Sequence, residues 1–395
     1  MTVDLRAVAL SLALAATPLG SAAQTPAVPP GHAPTLEQVL AAPYASDLTA
    51  APAGGGVAWV LLVKGVRNVW AAAPPDYRAR QLTAYSADDG QEIGGLAWTP
   101  DGRSVVYVRG GEANGHGESP NPTSDPAGAE QALWIVSASG GPPRRLGEGR
   151  WPAVSPRGDR VAFVKGGQVW SVALRDKAVP IQLLHARGAA DTLRWSPDGR
   201  FLAFVSERDD HSFIGVYDVA AKALRYLDPS VDQDVAPSWS PDGRAIAFVR
   251  VPTAPKALPF VPRRAGPPWS IRVADPATGQ GRQVWRAREG KGSVFYFLDS
   301  PDQLLWATGA AGSDPRLVFP WEADGWCHLY SVAVAAGGAG GAGEALLLTP
   351  GEFEVENATL AARRREVLFA SNQDDIDRRH LWRVAAAGPG RPAAL

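Results

Sequence analysis

Three glutamates, Glu352, Glu354 and Glu356, stand two residues apart near the end of the chain. Successive residues of a strand alternate between its faces, so on a strand these three carboxylates share one face. Gathered there, they could bind a cation or the amine of a substrate, with pKa values raised by mutual repulsion. The plainer reading is a solvated strand or loop face. Asp374, Asp375 and Asp377 form a second acidic run, but a calcium loop of the EF-hand type needs a regular ligand series with a central Gly and a closing Glu. With Arg378 and Arg379 beside it, the run reads as a charged hairpin turn, and so does Asp209-Asp210-His211.

Cys327, in Trp326-Cys327-His328, is the only cysteine. A thiol next to an imidazole suggests a nucleophile and its base, yet neighbours on a strand point to opposite faces, so Cys327 reads as a buried structural thiol. One cysteine excludes an intrachain disulfide and a Cys-rich metal site. The histidines, His32, His116, His185, His211, His328 and His380, lack the spacing of zinc ligands. His328 and His380 precede equivalent strands, which points to a shared structural niche. No Gly-rich stretch carries the Lys and Ser or Thr of a phosphate loop. No cofactor or metal is therefore expected. With 39 basic and 40 acidic residues and a formal charge of -1, the chain has no electrostatic footprint for nucleic acid or an anionic membrane.

The elements that position these side chains announce themselves by repetition. Trp98-Thr99-Pro100-Asp101-Gly102-Arg103 returns as Ser155-Pro156-Arg157-Gly158-Asp159-Arg160, Trp195-Ser196-Pro197-Asp198-Gly199-Arg200 and Trp239-Ser240-Pro241-Asp242-Gly243-Arg244, with a fainter copy at Ser300-Pro301-Asp302. The steps are 56, 41, 44 and 60 residues, a base period of about 40–45 residues with insertions, which is the length of one four-stranded propeller blade. The phrase is a hairpin turn: Ser takes a local backbone bond, Pro presets φ, Asp tolerates the third position and Gly the left-handed fourth.

After each turn comes a short run apolar at every position, such as Val161-Ala162-Phe163-Val164 or Ile246-Ala247-Phe248-Val249. Such runs are covered on both faces. A strand carrying an aromatic and then an outer strand follow, completing the inventory of a blade. The expected fold is all-β, a β-propeller with units at about 46–85, 93–148, 150–185, 191–229, 235–286, 293–350 and 353–395. The recurrent aromatics read as core packing. Three excursions, 110–129, 252–268 and 335–344, read as solvated loops; the first two could also wall an entrance to a partner domain.

Residues 1–23 read as an export signal: Ala7–Ala16 is apolar but too short to span a bilayer, and Ser21-Ala22-Ala23 offers a small-residue cleavage site. Residues 24–43 read as a Pro-rich leader and 44–395 as the propeller. The expected location is periplasmic or secreted, with no membrane span once the signal is cleaved.

The Trp-Ser-Pro-Asp-Gly-Arg repeats resemble those of the prolyl-oligopeptidase clan and of the Tol-Pal propeller protein. Glu322-Ala323-Asp324-Gly325-Trp326-Cys327-His328-Leu329-Tyr330, then Leu348-Thr349-Pro350-Gly351-Glu352-Phe353-Glu354-Val355, then Ser371-Asn372-Gln373-Asp374-Asp375-Ile376-Asp377-Arg378-Arg379-His380-Leu381-Trp382 resemble, in that order, late-blade motifs of the dipeptidyl peptidase IV N-terminal domain. The resemblance implies an eight-bladed propeller, about seven blades of which are present, C-terminally truncated, over an α/β-hydrolase domain missing or encoded separately. In that family the propeller filters peptides and excludes folded proteins. No serine here lies in a Gly-x-Ser-x-Gly elbow, so the expectation is a non-catalytic, substrate-gating part of a serine peptidase, with no catalytic residue. The adjacent glutamates that hold a substrate amine in dipeptidyl peptidases have no counterpart, leaving Glu352, Glu354 and Glu356 as substrate-binding candidates. The alternative is a stand-alone periplasmic binding propeller similar to the Tol-Pal protein. A third reading, a propeller enzyme acting on sugars or lactones through a central metal or carboxylate cluster, has little in the sequence behind it.

Overall fold

The structure, a computed structural model, describes residues 34–112, 120–121, 124, 126, 128–253, 265–309, 314–334, 344–388 and 391–395. The export signal and most of the leader lie outside the described residues, as do parts of all three excursions. The chain divides into two units, residues 1–42 and 43–395. In the first, a short helix, Leu36–Leu40, is closed by a capping box in which Thr35 and Gln38 exchange side-chain and backbone bonds.

The second unit is built of four-stranded antiparallel sheets, seven among the described residues, each formed by four consecutive strands. The first strands are Tyr44–Ala50, Ile93–Trp98, Arg150–Val154, Ala189–Trp195, Gln233–Trp239, Leu305–Ala307 and Val355–Leu360. The second strands are Val57–Val63, Ser104–Arg109, Arg160–Lys165, Phe201–Arg208, Ile246–Val251, Arg316–Trp321 and Glu366–Ser371. The third are Val66–Ala72, Ala132–Ser137, Gln168–Ala173, His211–Asp218, Ser270–Ala274, His328–Ala333 and His380–Ala385. The fourth are Arg80–Gln81, Arg144–Glu148, Ile181–Gln182, Ala223–Leu227, Gly281–Arg286, Leu346–Leu347 and Ala393–Ala394. A parallel bridge between Ser212 and Gln233 joins the fourth and fifth sheets. Consecutive first strands touch from blade to blade, so they are the inner strands around the axis. This is the β-propeller expected from the repeat.

The turn phrase works as a hydrogen-bonded unit. Ser196 Oγ donates to Asp198 Oδ1 at 2.6 Å and accepts the Phe201 N–H at 2.9 Å, while Asp198 Oδ1 accepts the Arg200 N–H at 3.0 Å. Gly199 takes φ +66°, which a Cβ would strain. Thr99 with Asp101 and Ser240 with Asp242 repeat these bonds. The hydroxyl bond holds each of the three aspartates below the ordinary carboxyl range. Ser300-Pro301-Asp302 is different: it precedes the first strand of blade 6 rather than following it. Gln303 stands where the repeat has Gly, so the left-handed corner is not formed there.

Two regularities escaped the sequence. A tryptophan at or near the end of a first strand donates its indole N–H to the first strand of the preceding blade. Trp98 reaches Thr49 O at 3.3 Å, Trp195 Ala153 O at 2.9 Å, Trp239 Arg194 O at 3.0 Å and Trp306 Ser238 O at 2.9 Å. Three residues before this position, in blades 1 to 5, Asp47, Gly95, Trp151, Thr192 and Ala236 have positive φ where the register slips by a bulge. A bulge bends the strand and increases its twist, and here every inner strand from blade 1 to blade 5 carries it.

Between blades 4 and 5 lies a buried ion network. Arg250 Nε and Nη2 reach the two oxygens of Asp234 at 2.7 and 2.8 Å, and Asp228 is shared by Arg250 and Arg272. Asp234 has no exposed surface.

Two outcomes follow for stability, each read from urea denaturation at neutral pH. Trp195→Phe removes the indole donor and leaves the Ala153 carbonyl without it, at a cost of about 1–3 kcal/mol. Arg250→Met leaves Asp234 buried without its cation, at a cost of about 3–5 kcal/mol.

Candidate functional site

With every blade running in the same sense, the hairpins between second and third strands and the links between blades fall at one end of the propeller. That end therefore carries the segment 322–327, the three glutamates and the hairpin 372–379.

The link into blade 6 starts from an aromatic anchor. Phe295 packs on Trp269 at 4.7 Å, and Trp285 on Trp321 at 4.8 Å, within the core shared by blades 5 and 6. The next two residues leave that core: Tyr296 and Phe297 are 48% and 51% exposed. Trp326 is 38% exposed while its neighbour Cys327 is buried. Tyr296 had given no separate signal in the sequence beyond the triplet Phe295-Tyr296-Phe297.

The glutamates divide. Phe353 and Val355 point into the core between blades 6 and 7, so the alternate residues turn outward. Burial raises the Tyr296 phenol pKa first, and the charges of Cys327, Glu354, Glu322 and Glu356 add to it. Glu356 pairs with Arg379 at 2.6 Å, and the Glu354 N–H donates to Asn372 Oδ1 at 2.9 Å. Glu352 is exposed and stands outside this group. A cleft of about 430 Å³ is lined by Ala265, Lys291, Gly292, Glu322, Asp324, Gly325 and Trp326. The arrangement offers aromatic walls and carboxylates to a cationic group.

Cys327 and His328 take structural places. Burial, with Glu322 and Glu354 nearby, pushes the thiol up to about 12, so it is not a nucleophile at neutral pH. His328 is enclosed: Nε2 lies 3.1 Å from Gly351 O, Nδ1 3.4 Å from Thr349 Oγ1, and the ring meets Phe353 edge-on. His380 occupies the same register in blade 7 but is half exposed, 3.6 Å from Asp375. Asp375 also pairs with Arg378 at 3.5 Å, as expected of a charged hairpin turn. Among the described residues no three His, Cys, Asp or Glu side chains are grouped to hold a metal ion.

Residues 264–395 match the family described as the dipeptidyl peptidase IV (DPP IV) N-terminal region. This part of the chain is similar to that family. The match takes in the outer half of blade 5 and all of blades 6 and 7, and so the whole acidic and aromatic group. Over most of the chain the fold is similar to part of Porphyromonas gingivalis dipeptidyl peptidase 4, with a TM-score of 0.57 at 14% identity, covering 89% of this chain and 53% of that one. A structure from a study of two prolyl endopeptidases and their inter-domain dynamics gives 0.56 at 13% identity, covering 90% and 50%. The chain thus spans about half the length of both. An oligogalacturonate lyase in complex with manganese gives 0.53 at 14% identity, covering 86% and 88%. At these identities the likeness is one of fold. No curated protein matches the chain. No described helix is long and apolar enough to cross a membrane.

Burial disfavours the imidazolium form and holds His328 below its ordinary value, against the pull of Asp324. The unfolded chain takes up a proton near pH 6.5 that the native chain refuses. Stability therefore falls as pH drops through that value and levels off below the folded pKa. Urea midpoints at pH 7.5 and 5.5 should show a larger loss for the native sequence than for His328→Gln.

Proposed function

We propose that this propeller is the non-catalytic, substrate-admitting part of a prolyl-oligopeptidase-type serine peptidase, exported from the cytoplasm and working against an α/β-hydrolase domain carried by a longer protein or a separate chain. The observation that carries this reading is the family match over residues 264–395. It is supported by the collection of the exposed aromatics and the acidic residues at one end of the propeller. Such a mouth suits peptides, whose free amines and basic side chains complement its carboxylates. The sequence supplies no serine elbow, so the chemistry belongs to the partner domain.

The test is affinity purification of the tagged chain from its native host, followed by fluorophosphonate labelling and assay on short proline-containing peptides. The expected result is a labelled serine hydrolase that co-purifies in stoichiometric amount, with the propeller itself unlabelled. A propeller labelled at one of its own serines, or a preparation with neither hydrolase nor peptidase activity, overturns the proposal.

A further inference from the structure

The segment Leu298–Leu304, between blades 5 and 6, is a closed loop. Gln303 Oε1 accepts the Leu298 N–H at 2.8 Å, and Gln303 Nε2 donates to Leu298 O at 3.0 Å and Ser300 O at 2.7 Å. Leu298, Gln303 and Leu304 are buried, while Pro301 and Asp302 are exposed at its tip.

The tip reaches two blades that are not neighbours. On one side the Asp299 N–H donates to Glu356 O at 3.1 Å, and Ser300 Oγ accepts the Ala358 N–H at 2.9 Å, both on the first strand of blade 7. On the other side Arg194, on the first strand of blade 4, donates from Nη2 to Pro301 O at 2.6 Å and lies 3.3 Å from Asp302 Oδ1. First strands are the inner strands, and blades 5 and 6 lie between blades 4 and 7 in the order of contact. Four consecutive residues that touch both must pass on the axial side of blades 5 and 6.

We propose that Leu298–Leu304 is a strap across the axial passage of the propeller, hinged on blade 7 and latched on blade 4 by Arg194. The Gln303 clamp keeps the loop rigid, so it moves as one piece when the latch opens. The latch is the weaker end: Arg194 and Asp302 are 31% and 52% exposed, and an ion pair that open to solvent contributes little by itself. The passage is shut when Arg194 holds the tip and clear when it lets go. This inference stands on the fold alone and holds whether or not a peptidase domain is the partner.

Hydrogen exchange followed by mass spectrometry on the full chain tests it, because local opening and global unfolding give separate rates. In the native chain, amides of 298–304 should exchange at least tenfold faster than those of the second strand of blade 4, 201–208. Arg194→Ala should speed the strap by about a further tenfold and leave 201–208 unchanged. The charge swap Arg194→Asp with Asp302→Arg should restore most of the protection. A strap that exchanges at the rate of 201–208 in the native chain, or is unmoved by Arg194→Ala, overturns the proposal. A variant in which strap and blade strands accelerate together does the same, since the loop is then part of the ring and not a gate.

Discussion

The structure rests on a demand that one sheet cannot meet alone: its middle strands are apolar on both faces and must be covered twice. Phe163, Phe204, Phe248 and Phe319 sit on second strands and have essentially no exposed surface, because one blade lies on each side of them. Burying an aromatic ring of this size contributes about 1.5–3 kcal/mol, and a stack repeats the gain at each interface. The indole bonds from one first strand to the carbonyl of the one before add direction to that stacking. Hydrophobic cover alone lets blades slide, whereas a donor seeking one carbonyl fixes the offset between neighbours.

Much of this was legible because the turn phrase carries its own physics. Ser, Pro, Asp and Gly at fixed offsets make a corner wherever they occur, and the runs that follow could only be strands with two covered faces. Blade 1, without the phrase, was still visible in Val57-Ala58-Trp59-Val60. The same logic misled at Ser300-Pro301-Asp302, where the residue that matters is Gln303: without Gly, the tripeptide is held by a side-chain amide and becomes a loop between blades. The bulges at Asp47, Trp151, Thr192 and Ala236 left no mark, because their residue types share nothing and the left-handed backbone there is imposed by the ring.

The acidic and aromatic group was half legible. Alternation along Glu352–Glu356 put the carboxylates on the side opposite Phe353 and Val355, which the core confirms. Proximity to Glu322 and Tyr296 depends on blade 6 lying against blade 7, a contact across more than thirty residues that no local pattern encodes. Arg379 answers Glu356 from a hairpin that read only as a charged turn.

Blades 1 and 7 show the same rule at lower burial. On the second strands of blades 1 and 7 burial alternates residue by residue, in contrast to the unbroken burial of the middle blades. Leu381, on the third strand of blade 7, is 63% exposed. The pair of histidines makes the point at a single position. His328 is enclosed by Gly351 and Phe353, which arrive with the next blade, while His380 has no such neighbour among the described residues and faces water. One residue type in one register is thus a core imidazole in blade 6 and a half-exposed one in blade 7, so the environment of each blade is set by what packs on it as much as by its own sequence.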